Sequence, residues 1–250
     1  MKKLNMLVKH LFFPGWDFGT RARRKLVRYF LSGNISTLDA GCGNGAFSLA
    51  AYRLGNRVVG INMDRDQVRR CQEYGQYVGA AGGRLHFRVF NIYDLRNLNK
   101  TFDQDICFET LEHLMRDKEV VQIFSDCLAP GGRLHLCTPN LDCVFNGLKG
   151  ISKTEDGGHV WVGYTHGELE GLMRGREFSR SHAIPSAATA ASRPRQYSGG
   201  SMTDFWIECP NLSEMLAVWL YLYSYTLWLC LIILCLILPG RSMSAVRNEL

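Results

Sequence analysis

The chain has 250 residues, of which 46% are hydrophobic, 21% charged and 11% aromatic. That apolar content supports a folded core and excludes an intrinsically disordered chain, and the scattered Gly and Pro exclude a collagen-like repeat. The 29 Lys and Arg against 23 Asp and Glu leave a mild net charge of +6. The length allows one large domain, or one domain plus an appendage.

Residues 1–34 read as an apolar and basic helical lead-in with a turn at Pro14-Gly15 and a helix over 20–31. The lead-in lacks the clean apolar core of a signal peptide. Five bases cluster at Arg21, Arg23, Arg24, Lys25 and Arg28. They form either a solvated helix face or a patch for anionic lipid or an acidic substrate. From residue 35 strand-like and helix-like segments alternate. Strands are predicted over 35–40, 57–63, 85–90, through 106–108, and over 133–137. Helices are predicted over 46–54, 65–77, 112–115 and 119–128, and a loop and helix over 157–178. This order implies an α/β fold with a parallel sheet and helices on both faces. The 185–210 stretch falls in a region rich in Ser, Ala and Arg and reads as a flexible linker or insertion.

Residues 211–250 hold the sharpest feature of the last third. From Met215 to Leu238 there is no charge. The run is long enough to span a bilayer, and Trp219, Tyr221, Tyr223, Tyr225 and Trp228 crowd its first half like an interfacial belt. A span, an in-plane membrane helix and a core helix are all open readings. Nine Cys, an odd number without a Cys-x-x-Cys pair, suggest neither a zinc site nor a disulfide framework. Reduced, buried thiols in a cytosolic compartment fit best, and no metal site is expected.

The richest motif is Thr37-Leu38-Asp39-Ala40-Gly41-Cys42-Gly43-Asn44-Gly45. It ends a strand and opens a helix, where small residues admit a ligand close to the backbone and free amides face it. The glycines formally satisfy a dinucleotide pattern, which keeps a nucleotide-dependent oxidoreductase in view. Asp39 argues against it, because a carboxylate there opposes a pyrophosphate and suits a positively charged amino-acid group.

Residues 38–45 resemble the first motif of class I S-adenosylmethionine-dependent methyltransferases. Val58-Val59-Gly60-Ile61-Asn62-Met63-Asp64 is similar to the family's second strand, and residues 87–95 to its third. Phe102-Asp103-Gln104-Asp105-Ile106-Cys107-Phe108-Glu109-Thr110-Leu111-Glu112-His113 resembles the fourth strand of the type 11 branch. Leu128-Ala129-Pro130-Gly131-Gly132-Arg133-Leu134 resembles the turn into strand five. Five motifs in order cover about residues 35–178. The resemblance implies a doubly wound, mainly parallel, Rossmann-like methyltransferase domain over 35–184, followed by the hydrophobic C-terminal helix. It also implies a closing pair of strands six and seven, the last antiparallel. Residues 177–184 are a candidate for strand six, and no strand seven is evident.

The resemblance implies S-adenosylmethionine as cofactor. Asp39, Gly41, Gly43 and Gly45 would surround its methionine part. Asn62 stands where an acid normally grips the ribose, with Asp64 as a substitute, and Met63 would lie on the adenine. Asn91 stands where an Asp normally receives the adenine amino group, with Ile92 beside the ring. Candidate catalytic residues are Glu109 and His113, which an i, i+4 helical spacing would place on one face, and His159. Tyr164 and Asn140 are candidate acceptor contacts, and Trp161 replaces the branch's usual Arg.

The chain lacks the Asn/Asp-Pro-Pro-Tyr of amino-group methylation and the Pro-Cys pair of cytosine methylation. The expected acceptor is a small or lipid-like molecule, with no nucleic-acid partner. The expected location is cytoplasmic, with membrane association through residues 215–238. The alternative function is a catalytically weak or inactive methyltransferase-like binding module tethered at a membrane.

Overall fold

The computed structural model describes residues 2–15, 18–80, 83–141, 151–174, 180–184 and 203–207. The chain divides into two units, Met1–Cys209 and Pro210–Leu250, and the described residues all fall in the first. The predicted 215–238 helix lies outside them. No helix among the described residues is long and apolar enough to cross a membrane.

Two helices, α1 (Lys2–Phe12) and α2 (Phe18–Phe30), precede the sheet. Then β1 (Ser36–Ala40), α3 (Ala46–Arg53), β2 (Arg57–Asn62), α4 (Arg65–Tyr77) and β3 (Leu85–Val89) follow. A 3-10 helix at Ile92–Leu98 leads to β4 (Phe102–Phe108), and a shorter one at Leu111–His113 leads to α5 (Asp117–Cys127). The chain continues with β5 (Leu128–Cys137), α6 (His166–Met173), β6 (Arg180–Ile184) and β7 (Thr203–Ile207). The sheet order is β3-β2-β1-β4-β5-β7-β6. This is the doubly wound α/β class expected.

Strand β7 lies inside the stretch read as linker, so the sheet does close beyond β5. Both of its pairings, with β5 and with β6, run parallel rather than antiparallel. Residues 185–202 between β6 and β7 exceed the dozen or so that a parallel crossover requires.

The central strands β1, β2, β4 and β5 bury residues on both faces, as strands covered by helices on both sides must. Leu38, Ala40, Val59, Ile61, Cys107, Leu134 and Leu136 pack with Val120, Val121 and Phe124 of α5 and Leu169, Leu172 and Met173 of α6. On the opposite face Val58, Ile106, Phe108 and Cys137 pack with Val27 and Phe30 of α2 and Phe47 and Ala51 of α3. The residues alternate between faces along β2, β4 and β5 with the period of two that a pleat imposes. Five described cysteines, Cys42, Cys71, Cys107, Cys127 and Cys137, are free and buried.

Two turn signals resolve differently from the sequence reading. Pro130-Gly131-Gly132 does not precede β5 but bulges within it. Phe102 pairs with Leu128, whereas Gln104 pairs with Arg133, and Gly131 at φ +76° turns the extra residues outward. The predicted 112–115 helix contracts to the single 3-10 turn Leu111–His113.

Neighbouring residues of β4 show how a buried polar group is tolerated. Gln104 donates to Thr37 Oγ1 at 2.8 Å and to the Ser32 carbonyl at 3.1 Å, and accepts from the Ser32 amide at 3.1 Å. Asp105 is equally buried, in register between Leu38 and Leu134, and its carboxylate has no hydrogen-bond partner among the described residues. Burial holds its carboxyl well above the ordinary range. The folded chain therefore binds a proton that the unfolded chain releases above about pH 3.9. Stability is full below that pH and falls as pH rises through the folded-state value. Asp105→Val is expected to raise stability at pH 8 by about 1–3 kcal/mol and to flatten that decline. Urea unfolding at pH 5 and pH 8 checks both.

Candidate active site

Strand order explains why residues far apart in sequence share one edge. β3, β2, β1 and β4 are parallel neighbours, so the loops after them emerge side by side at their carboxyl ends, where ligands bind in such sheets. The loops after β1, β2 and β3 carry Gly41, Gly43, Gly45, Asn62, Met63, Asn91 and Ile92. Asp39 sits at the end of β1.

The glycine loop is shaped by its own backbone. The amides of Gly41 and Cys42 donate to the Ile61 carbonyl at 3.0 and 2.9 Å, and the Gly45 amide donates to the Cys42 carbonyl at 2.7 Å. Gly41, Gly43 and Gly45 have φ of +73°, +50° and +79°, the left-handed region that glycine enters without a steric penalty. A Cβ on Gly41 would fall 2.2 Å from Thr110 Oγ1, and one on Gly45 would fall 3.1 Å from the Phe87 ring. A Cβ on Gly43 would meet only the Gly41 carbonyl at 3.9 Å and Gln67 Oε1 at 4.0 Å. It would fill the open floor of the cleft.

Asp39 is buried and accepts a hydrogen bond from Ser48 Oγ at 2.5 Å. Burial pushes its carboxyl up to about 6, against the lowering effect of Ser48. Asn62 is half-buried at the end of β2. Its carbonyl accepts from the Asp64 amide at 2.9 Å, and its amide lies 3.5 Å from Gln67 Oε1. The Asp64 carboxylate caps α4, accepting from the Asp66 and Gln67 amides at 2.8 and 3.1 Å, and those bonds hold its carboxyl low. Met63 is 62% exposed, available to a flat ring. Asn91 caps the next 3-10 helix by accepting from the Tyr93 amide at 3.0 Å, and Ile92 beside it is buried.

The acceptor side departs from expectation. Glu109 and His113 do not share a helical face, because Glu109 has φ +50° and only one 3-10 turn follows. Glu109 instead meets Arg23 of α2 at 3.4 Å and the Cys137 thiol at 3.6 Å. His113 joins His159, with ring centroids 4.7 Å apart and edge to face. The Gly158 carbonyl lies 2.9 Å from His113 Nδ1. A carbonyl only accepts, so neutral His113 keeps its proton on Nδ1 and a lone pair on Nε2. That Nε2 lies 3.9 Å from a carboxylate oxygen of Glu112, which is fully buried.

The sequence reading passed over Glu112, although it adjoins His113. One ligand atom from each of Glu112, His113 and His159 lies within 4.8 Å of the others, so the group could hold a metal ion, contrary to expectation. A proton or a cation would reconcile the lone pair with the carboxylate.

The loop bearing His159 is fastened by long-range bonds. The Val160 and Trp161 amides both donate to the Glu112 carbonyl, at 2.9 and 3.1 Å, and Trp161 Nε1 donates to the Leu114 carbonyl at 2.8 Å. Tyr164 is buried, with its hydroxyl 3.3 Å from Asp117. Trp161 and Tyr164 thus anchor the loop. A groove of about 1130 Å³ opens between α5 and α6, lined by Met115, Trp161, Tyr164 and Leu172 among others; no cradle residue lines it.

A model of the methyltransferase-domain family matches residues 31–173. The chain belongs to the methyltransferase-domain family. It is 30% identical over 153 residues to the mitochondrial ubiquinone biosynthesis O-methyltransferase of Rattus norvegicus, covering 57% of this chain and 44% of the relative. The chain spans less than half the length of the curated relatives it matches.

Among solved structures it resembles magnesium protoporphyrin IX methyltransferase from Synechocystis PCC 6803 with bound S-adenosylhomocysteine. That likeness has a TM-score of 0.50 and 20% identity, covering 65% of this chain and 74% of that one. It also resembles the [4+2]-cyclase SpnF, with a TM-score of 0.50 and 20% identity, over 63% of this chain and 56% of that one. These likenesses show the fold alone.

S-adenosylmethionine is the methyltransferase family's cofactor, and the cradle fits it. The floor at Gly43 is open, Asp39 supplies a carboxylate for an ammonium, and Met63 is exposed for the adenine. Two outcomes follow. Gly43→Ala should fold with a loss of about 1 kcal/mol and bind S-adenosylhomocysteine at least about tenfold more weakly, read by thermal unfolding and calorimetry. Wild-type affinity should fall about tenfold per pH unit below pH 6 as Asp39 is protonated, and Asp39→Asn should remove that dependence.

Proposed function

We propose that the chain transfers a methyl group from S-adenosylmethionine to a hydroxyl oxygen on a small or lipid-like acceptor. The observation that carries this reading is the His113–His159–Glu112 cluster, which begins two residues after Thr110 on the wall of the glycine loop, with the His113 tautomer held by Gly158. When bound, the cofactor supplies an electrophilic methyl carbon on a sulfonium. A hydroxyl acceptor also needs a base, because its proton must leave as the oxygen is alkylated. His113 Nε2 takes that proton, and the Glu112 carboxylate stabilises the imidazolium so formed. Thr110 closes one wall of the cradle by packing on Gly41, and the Arg23–Glu109 ion pair ties α2 over the same edge. Positioning of donor and acceptor supplies the rest of the rate.

Support for an oxygen acceptor also comes from the curated relatives, whose names place O-methylation in ubiquinone biosynthesis. A lipid-like acceptor is consistent with the uncharged 215–238 run, which is the proposed means of membrane association.

The test supplies methyl-labelled S-adenosylmethionine with prenylated and unprenylated catechols and follows label into the acceptor. Transfer to a hydroxyl is expected. His113→Asn should lower kcat by about 10²–10⁴-fold while S-adenosylhomocysteine binding stays within about twofold. A chain that binds S-adenosylhomocysteine but labels no hydroxyl acceptor, or a His113→Asn variant of undiminished kcat, would overturn the reading. The first of those results would favour a non-catalytic binding module.

A further inference from the structure

The amphipathic helix α1 leaves one apolar stripe uncovered, where a surface helix ordinarily turns its apolar stripe to the core. Leu7, Val8 and Leu11 are 45%, 47% and 50% exposed. Their spacing of i, i+1 and i+4 gathers them on one outward stripe. Met6, Lys9 and Phe12 are half-buried, and the helix meets α4 through two polar side chains. Lys9 Nζ donates to the Arg70 carbonyl at 3.3 Å and sits 5.1 Å over the Tyr74 ring, and His10 Nδ1 lies 3.1 Å from the Tyr74 hydroxyl. Just past the helix, Phe13 stacks on Tyr74 with centroids 4.4 Å apart.

The stripe is held in that orientation from its carboxyl end as well. Arg21 donates to the Gly15 and Phe12 carbonyls at 2.6 and 3.0 Å, and Arg24 Nη1 donates to the Phe13 carbonyl at 3.4 Å. Asn44 of the glycine loop donates to the Pro14 carbonyl at 2.7 Å.

Charge is as uneven as polarity. Residues 1–34 contain eight Lys and Arg against the single acid Asp17, leaving 21 bases and 22 acids for the rest of the chain. The whole positive excess therefore resides in α1, α2 and their connections. An outward apolar stripe on a basic helix is the pattern of a helix lying in the plane of an anionic membrane surface.

We propose that α1 docks the chain on an anionic phospholipid surface, with Leu7, Val8 and Leu11 entering the interface. The net charge of the first 34 positions, eight bases against one acid, supplies the attraction, and the Asn44–Pro14 link places the cofactor cradle next to the docked helix. This inference does not depend on the proposed reaction.

The experiment uses the full chain with vesicles of phosphatidylcholine, alone or with about 30% phosphatidylserine. Residues 215–238 give the chain a second apolar segment, so the readout is local: amide hydrogen exchange over α1. Phosphatidylserine vesicles should slow that exchange at least about fivefold, and about 0.5 M salt should weaken the protection. The double variant Leu7→Gln/Leu11→Gln should abolish it while binding S-adenosylhomocysteine normally. Unchanged α1 exchange on adding vesicles overturns the proposal, as does equal protection by phosphatidylcholine alone or in the double variant. Protection that rises with protein concentration without lipid would assign the stripe to a second copy of the chain instead.

Discussion

One carbonyl organises the candidate site. Ile61 O, near the end of β2, receives the amides of both Gly41 and Cys42. Those bonds end β1 by turning its backbone across β2, and they oblige the chain to pass through left-handed conformations before α3 can begin. With glycine at positions 41, 43 and 45 the turn is free of Cβ strain. The amides at the start of α3 then face the cleft, and the floor at Gly43 stays open. The neighbouring loops need no comparable device. Parallel pairing of β3, β2, β1 and β4 already delivers their carboxyl ends to the same edge.

The buried acids divide by what surrounds them. Asp39 keeps a hydroxyl partner and borders the cleft, so its raised carboxyl has a cationic ligand to meet. Glu112 adjoins two imidazoles and is tied to the 151–164 loop through its backbone carbonyl. Asp105 has neither arrangement: it lies between Leu38 and Leu134 in the middle of the sheet, and nothing in the structure explains it. Asp64, the proposed substitute for an acid at the ribose, caps α4 through one carboxylate oxygen. Asn62 supplies an amide at the end of β2, where the resemblance places an acid.

Local chemistry made much of the fold legible. Helix α4 begins where Asp64 can cap it, and its predicted span, 65–77, matches Arg65–Tyr77. Strands β1, β2 and β3 were visible as short apolar runs ending in loop residues. What escaped the sequence depends on contacts distant along the chain. The helical spacing of Glu109 and His113 failed because the backbone at Glu109 turns left-handed and Thr110 packs against Gly41, about seventy residues away. The pairing of His113 with His159 depends on two amides from the far loop reaching the Glu112 carbonyl, and no spacing rule encodes that. Strand β7 was hidden in a stretch whose surrounding composition resembles a linker. The orientation of α1 was equally hidden, because its apolar periodicity would ordinarily be read as a buried face.

The fold does not by itself name the reaction. A [4+2]-cyclase and a porphyrin methyltransferase resemble this chain with the same TM-score of 0.50, so the scaffold is compatible with unlike chemistries. In this chain the loop after β4 holds an imidazole whose Nδ1 is occupied by a backbone carbonyl and whose Nε2 is left with a lone pair next to a buried carboxylate. The same contacts fasten the 151–164 loop. A buried carboxylate beside two histidines costs stability unless a proton or cation is shared among them, and a site that shares a proton is suited to accept one from a hydroxyl. The proposed methyl transfer to oxygen therefore rests on the relation of Glu112, His113 and His159 more than on the glycine loop, which fits the cofactor but is silent about the acceptor.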